Sequence, residues 1–269
     1  MKIIASSTLL FAYKVEEVLR IVKELGYDGV EIWHFHLIRA GEEKNCAAIK
    51  RLADDLGLTL SFHALSWDLN FTSKLDQVRE TSLSILEGSL DIASELNANP
   101  IVIHPGRVTI PGDSTEEYWQ YLVEGVTRLT NHAQNKKRTI GLEVMEHIAK
   151  EFFITPHDAK RIVDKIPSPH LGITFDAAHV PLEIEPRDYI SQMNKVVHVH
   201  ISDLTPQKRH IALNTGDRDF SDLIKYLINN NQNNIVIEGL EPERTDRLAK
   251  HNINEMNCLI ESVKNNINS

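Results

Sequence analysis

Cysteine is scarce in this chain of 269 residues, which carries only Cys46 and Cys258. Both fall in stretches predicted to be helical and neither belongs to a CxxC spacing, so redox work and a zinc knuckle have no support, and a reducing cytoplasm fits. Long apolar runs are missing too. No stretch approaches a membrane span, and Met1-Lys2 leads straight into the β-like Ile3-Ile4-Ala5 without a secretory apolar region. Positive charge is in the minority: 29 lysines and arginines face 38 aspartates and glutamates, a net charge of −9. That balance opposes a surface tuned throughout to phosphate backbones and leaves nucleic acid as the runner-up partner, reached only through a local basic groove. No GxGxxG or P-loop glycine pattern follows the first apolar run, so the nucleotide-binding open sheets lose their usual support.

What the chain does have is alternation. Short β-branched apolar runs are predicted as strands at 2–6, 29–33, 58–63, 100–104, 139–144, 171–175, 195–201 and 234–239, each followed by a longer segment of helical periodicity. Val15, Val18, Leu19, Val22 and Leu25 illustrate the helical spacing that would cover a sheet. Gly26 and Gly57 stand where left-handed caps are needed, and Ser114-Thr115-Glu116-Glu117 and Thr155-Pro156-His157-Asp158 look like helix N-termini. Hydrophobic residues make up 42% of the chain, enough for one large core, and no linker interrupts it. The expectation is a single (β/α)₈ TIM barrel domain over 1–269, with its site at the C-terminal face of the strands.

At those strand ends stand residues that do not suit a buried apolar run: Glu31, His63, His104, Glu143, Asp176, His200 and Glu238, from seven different strands. Each histidine alone fits a structural hydrogen bond. Several carboxylates gathered in one barrel mouth need compensation, and a cation is the usual one. Mixed carboxylate and imidazole ligands suit Mn²⁺, Co²⁺, Zn²⁺ or Fe²⁺, and the lack of cysteine points to a catalytic site with open positions.

The segments GYDGVEIW (26–33), IVIHPG (101–106), IGLEVM (140–145), GITFDAAH (172–179), HVHISD (198–203) and IVIEG (235–239) resemble, in strand order and over nearly the whole chain, the xylose-isomerase-like barrels. That superfamily holds sugar-phosphate isomerases and epimerases, ketose 3-epimerases, inosose-pathway enzymes and endonuclease IV. The resemblance implies that Glu143, Asp176, His200 and Glu238 ligate one metal. It implies a substrate contact for His179, or an additional zinc ligand as in the nuclease. His63 and His104 match histidines that, with a bridging Glu143, hold another zinc there. His210 matches a further zinc ligand, while Lys208 falls where the nuclease has an aspartate and would repel that ion. The family's glycine-acid-glycine turn is replaced by Asn214-Thr215-Gly216, and His198 is expected to pack or to hydrogen-bond behind the site.

Two functions are implied. The first is a metal-dependent isomerase or epimerase of a sugar, sugar phosphate or polyol-derived ketone, with Glu143 and Glu238 as base and acid and His179 donating to a substrate oxygen. Here His63, His104 and His210 contact substrate, Arg209 or Lys208 supplies a cation, and Trp33 forms either a wall for a sugar face or ordinary packing. The alternative is a zinc phosphodiesterase acting at abasic DNA sites, opposed by the acidic balance, by Lys208 and by the acid in Ser66-Trp67-Asp68. A small-molecule sugar partner, a cytoplasmic location and a possible homo-oligomer complete the expectations.

Overall fold

The computed structural model describes residues 1–232 and 234–268. Strands β1 (Lys2–Ser6), β2 (Gly29–Trp33), β3 (Thr59–His63), β4 (Ile101–Ile103), β5 (Ile140–Glu143), β6 (Leu171–Asp176), β7 (Val196–Ile201) and β8 (Asn234–Ile237) pair in sequence order, all parallel, and β8 returns to β1 to close the barrel. Among the described residues the helices are α1 (Val15–Leu25), α2 (His34–Ala40), α3 (Cys46–Leu56), α4 (Asp76–Glu95), α5 (Glu116–Asn135), α6 (Pro156–Lys165), α7 (Pro186–Ile190), α8 (Ser221–Asn229) and α9 (Arg247–Asn268). No helix of the described residues is long and apolar enough to cross a membrane.

The apolar periodicity of α1 does what its spacing demands: Val15, Val18, Leu19 and Val22 are buried, and the helix stops at Gly26 with φ 92. Gly57 ends α3 in the same left-handed way, at φ 66. At α6 the Thr155 hydroxyl accepts the Asp158 N–H while the Asp158 carboxylate accepts the Thr155 N–H, a reciprocal cap that leaves Pro156 free to open the helix. The other expected cap does not form. Thr115 precedes α5 in a helical conformation, and its side chain makes no capping bond.

Strand alternation divides the barrel into two chemistries. Residues such as Val30, Ile32, Phe62, Ile103, Leu142, Phe175, Val199 and Ile237 belong to the main hydrophobic cluster, shared with the helices. Their neighbours on the other face point into the lumen, and many are small or polar: Gly29, Ser61, Gly141, Gly172, Thr174, His198. The continuous apolar core is therefore a ring between strands and helices, and the lumen is free to hold charge. The paired ladders stop earlier than the apolar runs do, at Ile103 and Ile237. His104 and Glu238 therefore stand just beyond the last paired residues.

Gly29 marks where the lumen leaves no room. A Cβ there would lie 2.4 Å from the Thr59 carbonyl oxygen, on backbone that cannot swing away. We expect Gly29→Ala to cost about 1–3 kcal/mol through overpacking, lowering the melting temperature by several degrees in a thermal scan; an unchanged midpoint would refute so close an approach of β2 and β3.

Candidate metal centre and active site

Parallel strands of equal hand bring their C-terminal ends to one rim, and there the sequence distant Glu143, Asp176, His200 and Glu238 meet. All four are buried, none more than 6% exposed. His200 Nδ1 lies 3.3 Å from Glu143 Oε1 and 3.1 Å from Glu238 Oε1. Ligand atoms of Glu143, Asp176 and His200 all lie within 4.8 Å of one another. Each of the four residues also keeps a buried polar atom without a hydrogen-bond partner: Glu143 Oε2, Asp176 Oδ2, His200 Nδ1 and Glu238 Oε1. Orphaned donors and acceptors are costly in a dry interior. The carboxylate oxygens of Glu143 and Asp176 and an imidazole nitrogen of His200, with Glu238 beside His200, form a donor set that fits a divalent cation.

Two further groups adjoin this centre. His63 and His104 face one another, Nε2 to Nε2, at 3.2 Å, with Glu143 Oε2 at 3.0 Å from His104 and 3.8 Å from His63. His63 donates Nδ1–H to the Ala64 carbonyl, which turns Nε2 inward. On the other side, Asp176, His179 and His210 come together, with His179 Nε2 3.4 Å from Asp176 Oδ2. His179 is aimed by its Nδ1, which lies 2.8 Å from the Val144 carbonyl. His210 Nδ1 lies 3.1 Å from Ser202 Oγ and 3.5 Å from Glu238 Oε2. Lys208, the cation expected to repel a further metal ion here, is exposed in a turn with Thr205.

The electrostatics split the two glutamates. Burial works against the charge on Glu143, but His104, His200 and His63 overcome it and hold the carboxyl well below its usual range. Burial lifts Glu238 well above its usual range; His200 opposes this, but Asp176, Glu143 and Glu31 reinforce it. One carboxyl of the pair is thus ionised while the other tends to keep its proton. Burial also opposes a charge on His179, yet Asp176, Glu143 and Glu146 lift it to about 9.

Trp33 sits at the rim, its ring stacked on His63 with centroids 3.8 Å apart and planes 14° from parallel. Trp67, 43% exposed, leans on Trp33 and meets Phe35 edge-on, so an aromatic shelf runs outward from the histidines. The loop after β7 is fixed by Asp203, whose carboxylate accepts N–H groups of Leu204, Thr215, Gly216 and Arg218. Asn214 takes φ 59, the left-handed position that asparagine tolerates, so the turn lacking the family's first glycine still closes. Arg209 is partly buried, and its Nε has no hydrogen-bond partner.

Several residues around the site were not in the set read from the strand ends. Glu146 lies 3.6 Å from His179, and Arg218 donates to the carbonyls of Val180, Pro181, Leu182 and Ile184 just beyond it. Arg107 pairs with the buried Glu151 at 2.6 Å beside His104. These are loop residues, for which period and register offer no signal.

A closed parallel barrel with buried carboxylates and imidazoles at its C-terminal rim defines a class: TIM barrels with a site able to hold a divalent metal. Within that class the chain belongs to the xylose isomerase-like TIM barrel family, whose profile matches residues 19–257. It is 26% identical over 197 residues to an uncharacterised protein of Methanocaldococcus jannaschii, covering 68% of this chain and 65%, just under two thirds, of that protein. It is 26% identical over 200 residues to fructoselysine 3-epimerase of Escherichia coli O157:H7, covering 70% of this chain and 71% of the epimerase. Its fold is similar to that of a D-tagatose 3-epimerase-like protein, with a TM-score of 0.85 at 23% identity over 99% of this chain and 100% of the other. An L-ribulose 3-epimerase gives 0.83 at 17% identity, over 99% and 97%.

In metal-free protein the raised histidines make stability depend on pH with a definite sign. A folded-state value above the unfolded one, about 6.5 for histidine, contributes stability that is complete below that value and is lost as pH rises through the folded value. His179, at about 9, and His200, also raised, both act this way. The melting temperature of chelator-treated protein should therefore fall between pH 6.5 and 9, and fall less in a His179→Gln variant. A rising or flat profile over that window would contradict the charge on the cluster.

Proposed function

We propose that this chain is a divalent-metal-dependent epimerase or isomerase of a sugar, sugar phosphate or polyol-derived ketone, acting by proton transfer next to a carbonyl. The observation that carries the reading is the pair of buried carboxyls, Glu143 and Glu238, with His200 between them and opposite tendencies to hold a proton. Two carboxyls pushed apart in this way suit a base and an acid working on one substrate. Ionised Glu143 takes the proton from the carbon beside the carbonyl, and Glu238 supplies one. Exchange of those roles runs the reaction in reverse. A divalent ion held by Glu143, Asp176, His200 and Glu238 would supply the Lewis acid that polarises the carbonyl and stabilises enediolate charge.

The neighbouring side chains bind and orient. His179, protonated when its carboxylate neighbours are ionised, donates to a substrate oxygen. His63 and His104 offer hydrogen bonds to hydroxyls, with His210 doing the same from the loop after β7. Trp33 presents its ring to the apolar face of the sugar, and Arg209 provides a cation for an enediolate or a phosphate. Relatives bearing 3-epimerase names support epimerisation at carbon 3 of a ketose as the form of the reaction to assay first.

One observation favours a second reading. The groups His63–His104–Glu143, Glu143–Asp176–His200 and Asp176–His179–His210 are contiguous, as a zinc phosphodiesterase acting at abasic DNA would need. The net charge of −9 stands against it.

Glu238→Gln keeps an oxygen ligand but cannot exchange a proton at neutral pH, so it should retain metal and lose about 10²- to 10⁴-fold in turnover on a ketose panel. Activity within a few-fold of the parent would sink the two-glutamate mechanism. Replacing His63 and His104 together by Ala should leave the metal at the four-residue centre while raising KM or slowing turnover. Loss of one tightly held zinc together with loss of cleavage of an abasic duplex would instead establish the second reading.

A further inference from the structure

Glu31 is a buried carboxylate that takes no part in the proposed proton transfer. It sits on β2, fully enclosed in the lumen at 0% exposure, beside Ser61 of β3 in the strand register. An isolated carboxylate there would be costly to desolvate. Three donors converge on it instead. His198 Nε2 approaches Glu31 Oε2 at 2.6 Å, Ser61 Oγ donates to the same oxygen at 3.3 Å, and His200 Nε2 lies 3.4 Å from it and 3.2 Å from Oε1. A group surrounded by donors is an acceptor, so the protons of both imidazoles at this interface stand on Nε2.

That placement has a consequence on the far side of His200. Once a metal displaces the second proton of His200, the imidazole that keeps its proton on Nε2 has its lone pair on Nδ1, the atom turned toward Glu143 Oε1 and Glu238 Oε1. We infer that Glu31 is a positioning residue: it holds His200 in the Nε2–H tautomer and so presents Nδ1 to a divalent ion, while His198 and Ser61 hold Glu31 in place. Without the carboxylate, His200 is free to carry its proton on Nδ1, a form that cannot ligate, and its ring loses the bond that fixes its orientation. A carboxylate behind a liganding histidine also makes the imidazole a stronger donor to the metal. His198 thereby acquires a role without touching the ion, and a glutamate deep in the lumen acquires a reason to be there. The inference rests on the metal-dependent reading above.

The test measures binding and tautomer, not turnover. In zinc-loaded protein labelled with ¹⁵N-histidine, a long-range proton–nitrogen correlation should show His200 protonated on Nε2 and liganding through Nδ1. Calorimetric titration of chelator-treated protein with Zn²⁺ or Mn²⁺ alone should show Glu31→Gln weakening affinity about 10- to 100-fold, with far-ultraviolet dichroism unchanged. Ser61→Ala, which keeps the carboxylate and both histidines, should stay within a few-fold of the parent. Parent-like affinity in Glu31→Gln, or a spectrum in which His200 ligates through Nε2, overturns the inference and leaves the metal-dependent function standing. Failure of the parent protein to bind any divalent ion removes both. The spectrum needs no variant, so poor folding of Glu31→Gln does not protect the idea.

Discussion

The structure turns on how a barrel lumen tolerates buried charge. Carboxylates Glu31, Glu143, Asp176 and Glu238 and imidazoles His63, His179, His198 and His200 are all buried within or at the mouth of one ring of strands. Such a set is stable only if each charge meets an opposite charge, a hydrogen bond or a cation. Deep in the lumen three donors meet Glu31 Oε2, while Glu31 Oε1 and His198 Nδ1 keep no hydrogen-bond partner. At the rim Glu143, Asp176, His200 and Glu238 each keep a buried polar atom without a partner.

The surroundings make that buried charge tolerable. With the apolar core confined to the ring between strands and helices, lumen positions are released for glycine, serine, threonine and histidine. The loops then supply what strands cannot. Asp203 gathers backbone N–H groups from the loop that carries His210, and Arg218 from the same loop grips the carbonyls that follow His179. The two arms of the Asp176–His179–His210 group are thus tied to one another through backbone hydrogen bonds. Such ties favour a fixed geometry over a loop that orders only when substrate arrives, consistent with reacting groups held before the substrate binds.

Shape and charge together favour a small polyol over a nucleic acid. Trp33 stacks on His63, and Trp67 and Phe35 extend the aromatic surface outward, suiting the apolar face of a sugar. At the rim near His104, Arg107 is paired through Nε with the buried Glu151. The acidic balance of the whole chain acts in the same direction.

The sequence by itself determined the barrel, because the alternation of β-branched runs and amphipathic helices is a local pattern, and eight such units leave few ways to bury their faces. It also singled out the polar residues that the structure gathers at the rim, since a glutamate or histidine in an apolar strand run is visible without coordinates. Strand ends differed by one or two residues, because the pairing that defines an end depends on where neighbours splay apart at the rim. Only the tertiary structure decided which of those residues meet. Glu31 read as one more polar strand residue until the register of β2, β3 and β7 placed Ser61, His198 and His200 around it. Glu146, Arg107 and Arg218 lie in loops, where no period marks a functional side chain. Lys208, adverse in the linear order, proved to be exposed while His210 turned inward, because the direction of a loop side chain is set by the backbone turn around it and not by its place in a motif.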